Sequence, residues 1–220
     1  MKKTVPILDS GLWFPDPQNA SPEGLVAIGG DLSVNRLLLA YGRGIFPWTV
    51  SPLTWWSPDP RGIFDLNSFH VSRSLGRTVR KGAFQITRNQ AFRDVIEGCA
   101  RPGPERPTTW ISPQFIDAYT ELHLQGYAHS VECWRAGQLA GGIYGVAIGG
   151  LFAGESMFHR VSDASKIALY YLVEHLKERQ FGLFDIQMVT PITAKLGAMS
   201  ISRTVYLEKL AAALEMHCSF

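Results

Sequence analysis

Apolar and polar positions alternate with a period of two from Ala128 to Arg135, where Ser130, Glu132 and Trp134 are set against Val131 and Cys133. That period predicts a half-buried strand. Ala136-Gly137-Gln138 reads as a turn into a second strand, Leu139 to Val146, and Leu151-Phe152-Ala153 as a third. Phe84 to Thr87, the apolar run Phe181 to Gln187 and a stretch near Ser200 to Thr204 complete the predicted strands. Helices are expected where start and stop signals bracket a run free of Gly and Pro. Ser33 to Tyr41 follows Asp31 and ends at Gly42. Gln90 to Cys99 is a second. Ser112-Pro113 opens a third that runs to Gln125, with Gly126 behind it, and a fourth lies around Tyr206 to Glu215. Ala164 to Arg179 is the longest, with Ser162-Asp163 offering a capping oxygen and Lys177 and Arg179 at the end favoured by cations.

Before residue 62 the pattern is broken by Pro6, Pro15, Pro17, Pro22, Pro47, Pro52, Pro58 and Pro60, which leave room for one helix. The aromatic stretches Ile45 to Trp48 and Leu53 to Arg61 read as a small satellite core pinned by prolines, or, for Trp48 on a loop, as a ring available to stack on an unpaired base. The mixture of elements, with hairpin-like strands in the middle, predicts an α+β domain with a mainly antiparallel sheet.

Arg73, Arg77, Arg80 and Lys81 recur at spacings that gather them on one face of a helix over residues 70–81. Such a face is either simply solvated or tracks phosphates. Composition narrows the choice of partner. A net charge of +2 over 220 residues, with 46% hydrophobic and 18% charged residues, argues against binding secured by overall charge, so any nucleic-acid contact must be regional. Cys99, Cys133 and Cys218 lie far apart, without metal-site spacing. An odd cysteine count with no secretory signal fits a reducing cytosol, and no apolar span reaches the roughly 18 residues a membrane helix needs.

The unusual chemistry lies between Gly141 and Gln187. Asp185 and Gln187, two apart on an apolar strand, are expected on one face, with Glu155 in an apolar neighbouring segment. Polar groups buried there are costly unless hydrogen-bonded or used, so they either form a site or serve locally, Asp185 orienting Gln187 or capping a loop. A phosphate-cradling loop, a dinucleotide fingerprint, a Gly-x-Ser-x-Gly elbow and a His-Glu-x-x-His pair are all absent, and the six histidines are scattered. Glu155, Asp185 and Gln187 contain neither nucleophile nor metal set. They suit a donor that arrives already activated.

Several motifs then fall in order. Gly24 to Leu32, Ala40-Tyr41, Gly44 to Trp48, Trp55 to Arg61, Gly154-Glu155-Ser156-Met157-Phe158, Ala164-Ser165-Lys166 and Asp185-Ile186-Gln187 together resemble the leucyl/phenylalanyl-tRNA–protein transferases, in register from Trp13 to Arg203. The resemblance implies a small N-terminal domain (residues 1–62) and a C-terminal domain of the acyl-CoA N-acetyltransferase type (residues 63–220). It implies transfer of Leu or Phe, less readily Met, from aminoacyl-tRNA to an N-terminal Arg or Lys of a protein, creating a degradation signal in the cytoplasm, with no cofactor and no metal. Carried over by motif position, Asp185, Gln187 and Glu155 are catalytic, and Asp185 polarises Gln187. Trp48, Ile143, Phe152 and Leu169 take the donor side chain. Tyr41, Trp110 and Tyr119 meet the tRNA 3′ end, and Arg73, Arg77, Arg80 and Lys81 meet the acceptor stem. The chain departs from the pattern at Ile192-Thr193, where His-Leu is usual, at Lys195, where Ser is usual, and at His159. An acyl-CoA N-acetyltransferase and a non-catalytic RNA- or peptide-binding relative are the competing readings.

Overall fold

The computed structural model describes residues 5–102 and 108–220. Most of the expected proline-rich loop from Arg101 to Pro107 lies outside them. Two sheets organise the chain. The smaller has four strands in the order β1-β2-β4-β3, formed by Ile7–Leu8, Leu25–Gly29, Leu53–Trp56 and Phe46–Val50, all antiparallel except β1 with β2. The aromatic stretches read as a small core pinned by prolines are largely strands, and they bury Ile45, Phe46 and Trp55. Pro47 is tolerated because β3 is an edge strand, where a missing N–H breaks no ladder. Trp48 stands on that strand and not on a loop. A helix, α1 (Val34–Gly42), follows β2 and buries Leu37, Ala40 and Tyr41. Arg36 on α1 is buried too, and donates through Nη2 to the carbonyls of Asp9 and Gly11 (3.0 Å each), pinning the N-terminal loop.

The larger sheet has seven strands in the order β11-β5-β10-β9-β8-β7-β6. They are Ala198–Ile201 (β11), Arg61–Phe64 (β5), Leu183–Gln187 (β10), Leu151–His159 (β9), Gln138–Ile148 (β8), Ala128–Arg135 (β7) and Gln85–Arg88 (β6). Only β9 and β10 run parallel, so the expected mainly antiparallel α+β sheet is present. The two sheets change over between Trp56 and Arg61, and Arg61 already belongs to the larger one.

Helices cover both faces. On one lie α2 (Arg73–Arg80) and α5 (Ala164–Glu178), packed on Ile143, Phe152 and Phe184. On the other lie α1, α3 (Phe92–Ala100) and α4 (Pro113–Leu124), packed with Tyr144, Val146 and Ala153, and α7 (Arg203–Leu214), packed on Ile63, Leu151 and Leu183. Even and odd strand positions thus feed separate cores. Asp163 at the head of α5 takes a left-handed φ of 67° and makes no capping hydrogen bond; its carboxylate pairs with Lys166 at 2.9 Å instead. A short helix, α6 (Pro191–Lys195), carries both the Ile192 and Lys195 departures.

Candidate active site

Glu155 is at the centre of the polar cluster because β9 bulges there. The pairing with β8 shifts between Tyr144↔Ser156 and Gly145↔Gly154, leaving Glu155 as the extra residue. Such a bulge re-aims a side chain, here toward the face carrying α1 and α4. Tyr41 from α1 donates to Glu155 Oε1 at 2.8 Å, and Tyr119 from α4 lies 3.3 Å from Oε2. The two hydroxyls also touch each other, so two protons serve three contacts. Gln187 adds a third donor, its Nε2 3.2 Å from Glu155 Oε1. Burial pushes the Glu155 carboxyl up to about 7, and the Asp185 charge adds to the rise; the tyrosine hydrogen bonds and Arg61 oppose it. Part of the residue is still open to solvent. Burial, then the Glu155 charge, holds Tyr41 and Tyr119 well above the ordinary phenol range.

Asp185 is fully buried and fully engaged. Its Oδ1 accepts from Arg61 Nε (2.9 Å) and from the Gln187 main-chain N–H (2.9 Å). Its Oδ2 accepts from Arg61 Nη2 (2.6 Å) and from the Tyr206 hydroxyl (2.9 Å). Burial alone would lower the Arg61 pKa, but the Asp185 charge, together with Tyr206, the hydrogen bonds to Asp185 and the Glu155 charge, outweighs it and keeps the guanidinium protonated.

The alternation expected of Asp185 and Gln187 breaks at the second residue. Gln187 has a φ of 57°, and Met188 N–H returns to the Ile186 carbonyl at 2.6 Å, a γ-turn about Gln187. The pairing of β10 with β5 also shifts between Asp185 and Gln187. Asp185 therefore holds the Gln187 backbone and not its side chain, and the carboxylate hydrogen-bonded to the Gln187 side-chain amide is Glu155. Arg61 and Tyr206 carry no catalytic signature in the sequence, since one ends a proline-rich stretch and the other opens a helix.

Trp48 is half-buried on the smaller sheet, its ring 6.0 Å from Phe46 and 5.9 Å from Trp56. Ile143, Phe152 and Leu169 lie across the larger sheet in the α5 core, 6%, 1% and 1% exposed. Phe152 and Leu169 are almost wholly enclosed by their neighbours. Tyr41 and Tyr119 are buried with their hydroxyls at Glu155, whereas Trp110 is half-buried and rests edge-on against Phe115 at 5.2 Å. Arg73, Arg77, Arg80 and Lys81 are exposed on and just after α2 and make no ion pair among the described residues, while Leu75 faces the core. Among the described residues no group of three or more His, Cys, Asp or Glu could hold a metal ion, and no helix is long and apolar enough to cross a membrane.

Known proteins resemble the chain along most of its length. The family model described as leucyl/phenylalanyl-tRNA protein transferase matches residues 63–211, and the model of that family's N-terminal domain matches residues 30–59. A leucyl/phenylalanyl-tRNA–protein transferase from Anaeromyxobacter sp. (strain Fw109-5) is 50% identical over 205 residues, covering 92% of this chain and 87% of its own. One from Tolumonas auensis is 49% identical over 208 residues, covering 93% and 89%. A GCN5-related N-acetyltransferase from Kribbella flavida aligns over 75% of this chain and 60% of its own, with 10% identity and a TM-score of 0.42, too low to bear on function. The chain is an aminoacyltransferase. It belongs to the leucyl/phenylalanyl-tRNA–protein transferase family.

Proposed function

We propose that the protein moves Leu or Phe, and less readily Met, from aminoacyl-tRNA to the N-terminal Arg or Lys of an acceptor protein, forming a peptide bond and a degradation signal in the cytoplasm. The observation that carries this reading is the Glu155–Gln187 pair, at which an amide is polarised by a carboxylate poised near neutrality. The ester linking an amino acid to the tRNA ribose is already activated, so the protein must place an amine against it and handle one proton. An α-amine has a pKa of about 8, and a useful fraction is neutral near pH 7. With Nε2 committed to Glu155, Gln187 presents its carbonyl oxygen to the attacking amine's N–H. As the C–N bond forms and the C–O bond to the ribose breaks, Glu155 accepts the ammonium proton through a water and returns it to the departing ribose oxygen, so that one proton passes from nitrogen to oxygen and Glu155 is restored. Asp185, with both oxygens engaged, supports Gln187 instead of taking the proton.

The donor side chain enters where β9 and β10 part, beyond their last pair Asp185↔Ala153. By motif position Trp48, on the smaller sheet, and Ile143, Phe152 and Leu169, in the α5 core, take that side chain. A methylene counts for only about 1 to 3 kcal/mol in such a pocket, so Leu, Met and Phe overlap as donors. Trp110, Tyr41 and Tyr119 flank the tRNA 3′ end, and the α2 cations follow the acceptor stem.

The test is transfer of labelled Leu from Leu-tRNA to peptides that differ only at the first residue, with neither ATP nor CoA added. Arg- and Lys-started peptides should acquire label, and Ala-started ones should not. Transfer that requires acetyl-CoA would favour an N-acetyltransferase, and tRNA binding with no transfer to any peptide would favour a non-catalytic relative.

A further inference from the structure

We propose that Arg61 is a positioning residue for the transfer reaction, holding Glu155 and Gln187 in register from both sides of the site, with Tyr206 as its second support. The proposal rests on the reaction described above. Its geometry is a hub with two arms that converge on Glu155.

One arm runs through Asp185. The Arg61 fork meets both carboxylate oxygens, at 2.9 and 2.6 Å, a paired arrangement that fixes direction as well as charge. Asp185 in turn accepts the Gln187 backbone N–H at 2.9 Å, which secures the left-handed γ-turn. A non-glycine residue at positive φ costs on the order of 1 to 3 kcal/mol and persists only where its surroundings hold it. That turn sends the Gln187 amide to Glu155.

The second arm runs through the smaller sheet. Arg61 Nη1 donates to the Gly44 carbonyl at 3.0 Å, in the turn between α1 and β3. Tyr41, three residues earlier, donates to Glu155. Gly44 has a φ of 71°, and a Cβ there would sit 2.8 Å from the Tyr206 ring, so the turn is seated against α7. The guanidinium lies between two rings, 4.9 Å from the centre of Phe46 and 4.3 Å from that of Tyr206. A lysine could supply the charge but not the fork, the Gly44 contact or the stacking.

Arg61 touches no expected substrate atom, so its effect must appear as misplacement of groups that do. Small displacements of that kind can cost ~10²-fold in rate. The experiment compares single-turnover transfer, the KM for Leu-tRNA and the thermal midpoint of wild type, Arg61→Lys and Tyr206→Phe, with rates expressed per folded molecule from circular dichroism. Arg61→Lys should lower kcat by ~10- to 100-fold with KM within about twofold, and Tyr206→Phe, the milder change, by ~3- to 10-fold. Wild-type kcat per folded molecule in Tyr206→Phe, or in a folded Arg61→Lys, would reduce the network to a brace for the fold and overturn the proposal. A wild-type protein that transfers nothing would instead overturn the reaction on which the proposal rests.

Discussion

Two carboxylates about thirty residues apart in the chain sit in opposite chemical settings, and the difference assigns their work. Asp185 faces a guanidinium and has no lone pair to spare, whereas Glu155 faces neutral donors and ionises only at about 7. The second condition makes stability depend on pH. A free glutamate ionises near 4.5, so between about 4.5 and about 7 the folded chain keeps a proton that the unfolded chain has lost. The stabilisation linked to this group is complete below the lower value and is lost as pH rises through the upper one. Glu155→Gln, neutral throughout, should therefore gain on wild type in urea denaturation between about pH 5 and about pH 8. A stability difference that stayed flat across that interval would contradict a buried, neutral Glu155. Gln187→Ala should lower turnover by ~10²- to 10⁴-fold, and Asp185→Ala, which frees the γ-turn, should do so too. Because Asp185 acts through Gln187, the double variant should be little worse than the poorer single one, and multiplying losses would show that the two residues act independently. Glu155, Asp185 and Gln187 were legible in the sequence because polar residues in apolar runs stand out. Their contacts were not, because the left-handed turn at Gln187 overrides strand alternation and Arg61 lies 124 residues from its partner.

Among the elements, β9 and α2 carry the sharpest expectations. Gly145 faces Gly154 beside the bulge, and a Cβ there would lie 2.3 Å from the Ala153 carbonyl oxygen and 2.6 Å from the Phe152 ring. Gly145→Ala should destabilise by about 1 to 3 kcal/mol, as overpacking does, and lower transfer beyond the loss of folded protein, because the same strand pair aims Glu155. Wild-type stability would mean that the strands separate freely at this point. On α2, removing each cation that contacts a phosphate should reduce the magnitude of the log–log salt slope of tRNA binding by roughly 0.7 to 0.9. An unchanged slope after neutralising Arg77 and Arg80 would leave α2 a solvated face. The helices and central strands were readable because their periods are long and uninterrupted. The strand β3 was hidden by Pro47, which its edge position tolerates, β4 and β5 by the prolines that flank them, and the α5 start differs from its capping signal because the Asp163 carboxylate pairs with Lys166.

At the scale of the molecule, the site exists only where two sheets meet. Tyr41 comes from the helix that follows the smaller sheet's second strand, Tyr119 from α4, Glu155 from a bulge and Gln187 from a strand end, and Arg61 stands at the junction. The fold class and the order of motifs could be read from the chain, but this convergence depends on contacts between distant segments, and no local pattern encodes it. It also explains why Glu155 can be partly accessible yet poorly solvated, the condition that raises its pKa to about 7. The most direct test is the single-turnover rate of Leu transfer from Leu-tRNA to an Arg-started peptide, measured across about pH 5.5 to 8.5 for wild type and Glu155→Gln. Wild type should rise through a limb at about 7, where Glu155 ionises, and the variant should be slower by ~10²-fold or more, keeping only the limb of the acceptor amine near pH 8. The same limb and the same rate in both proteins would contradict the account.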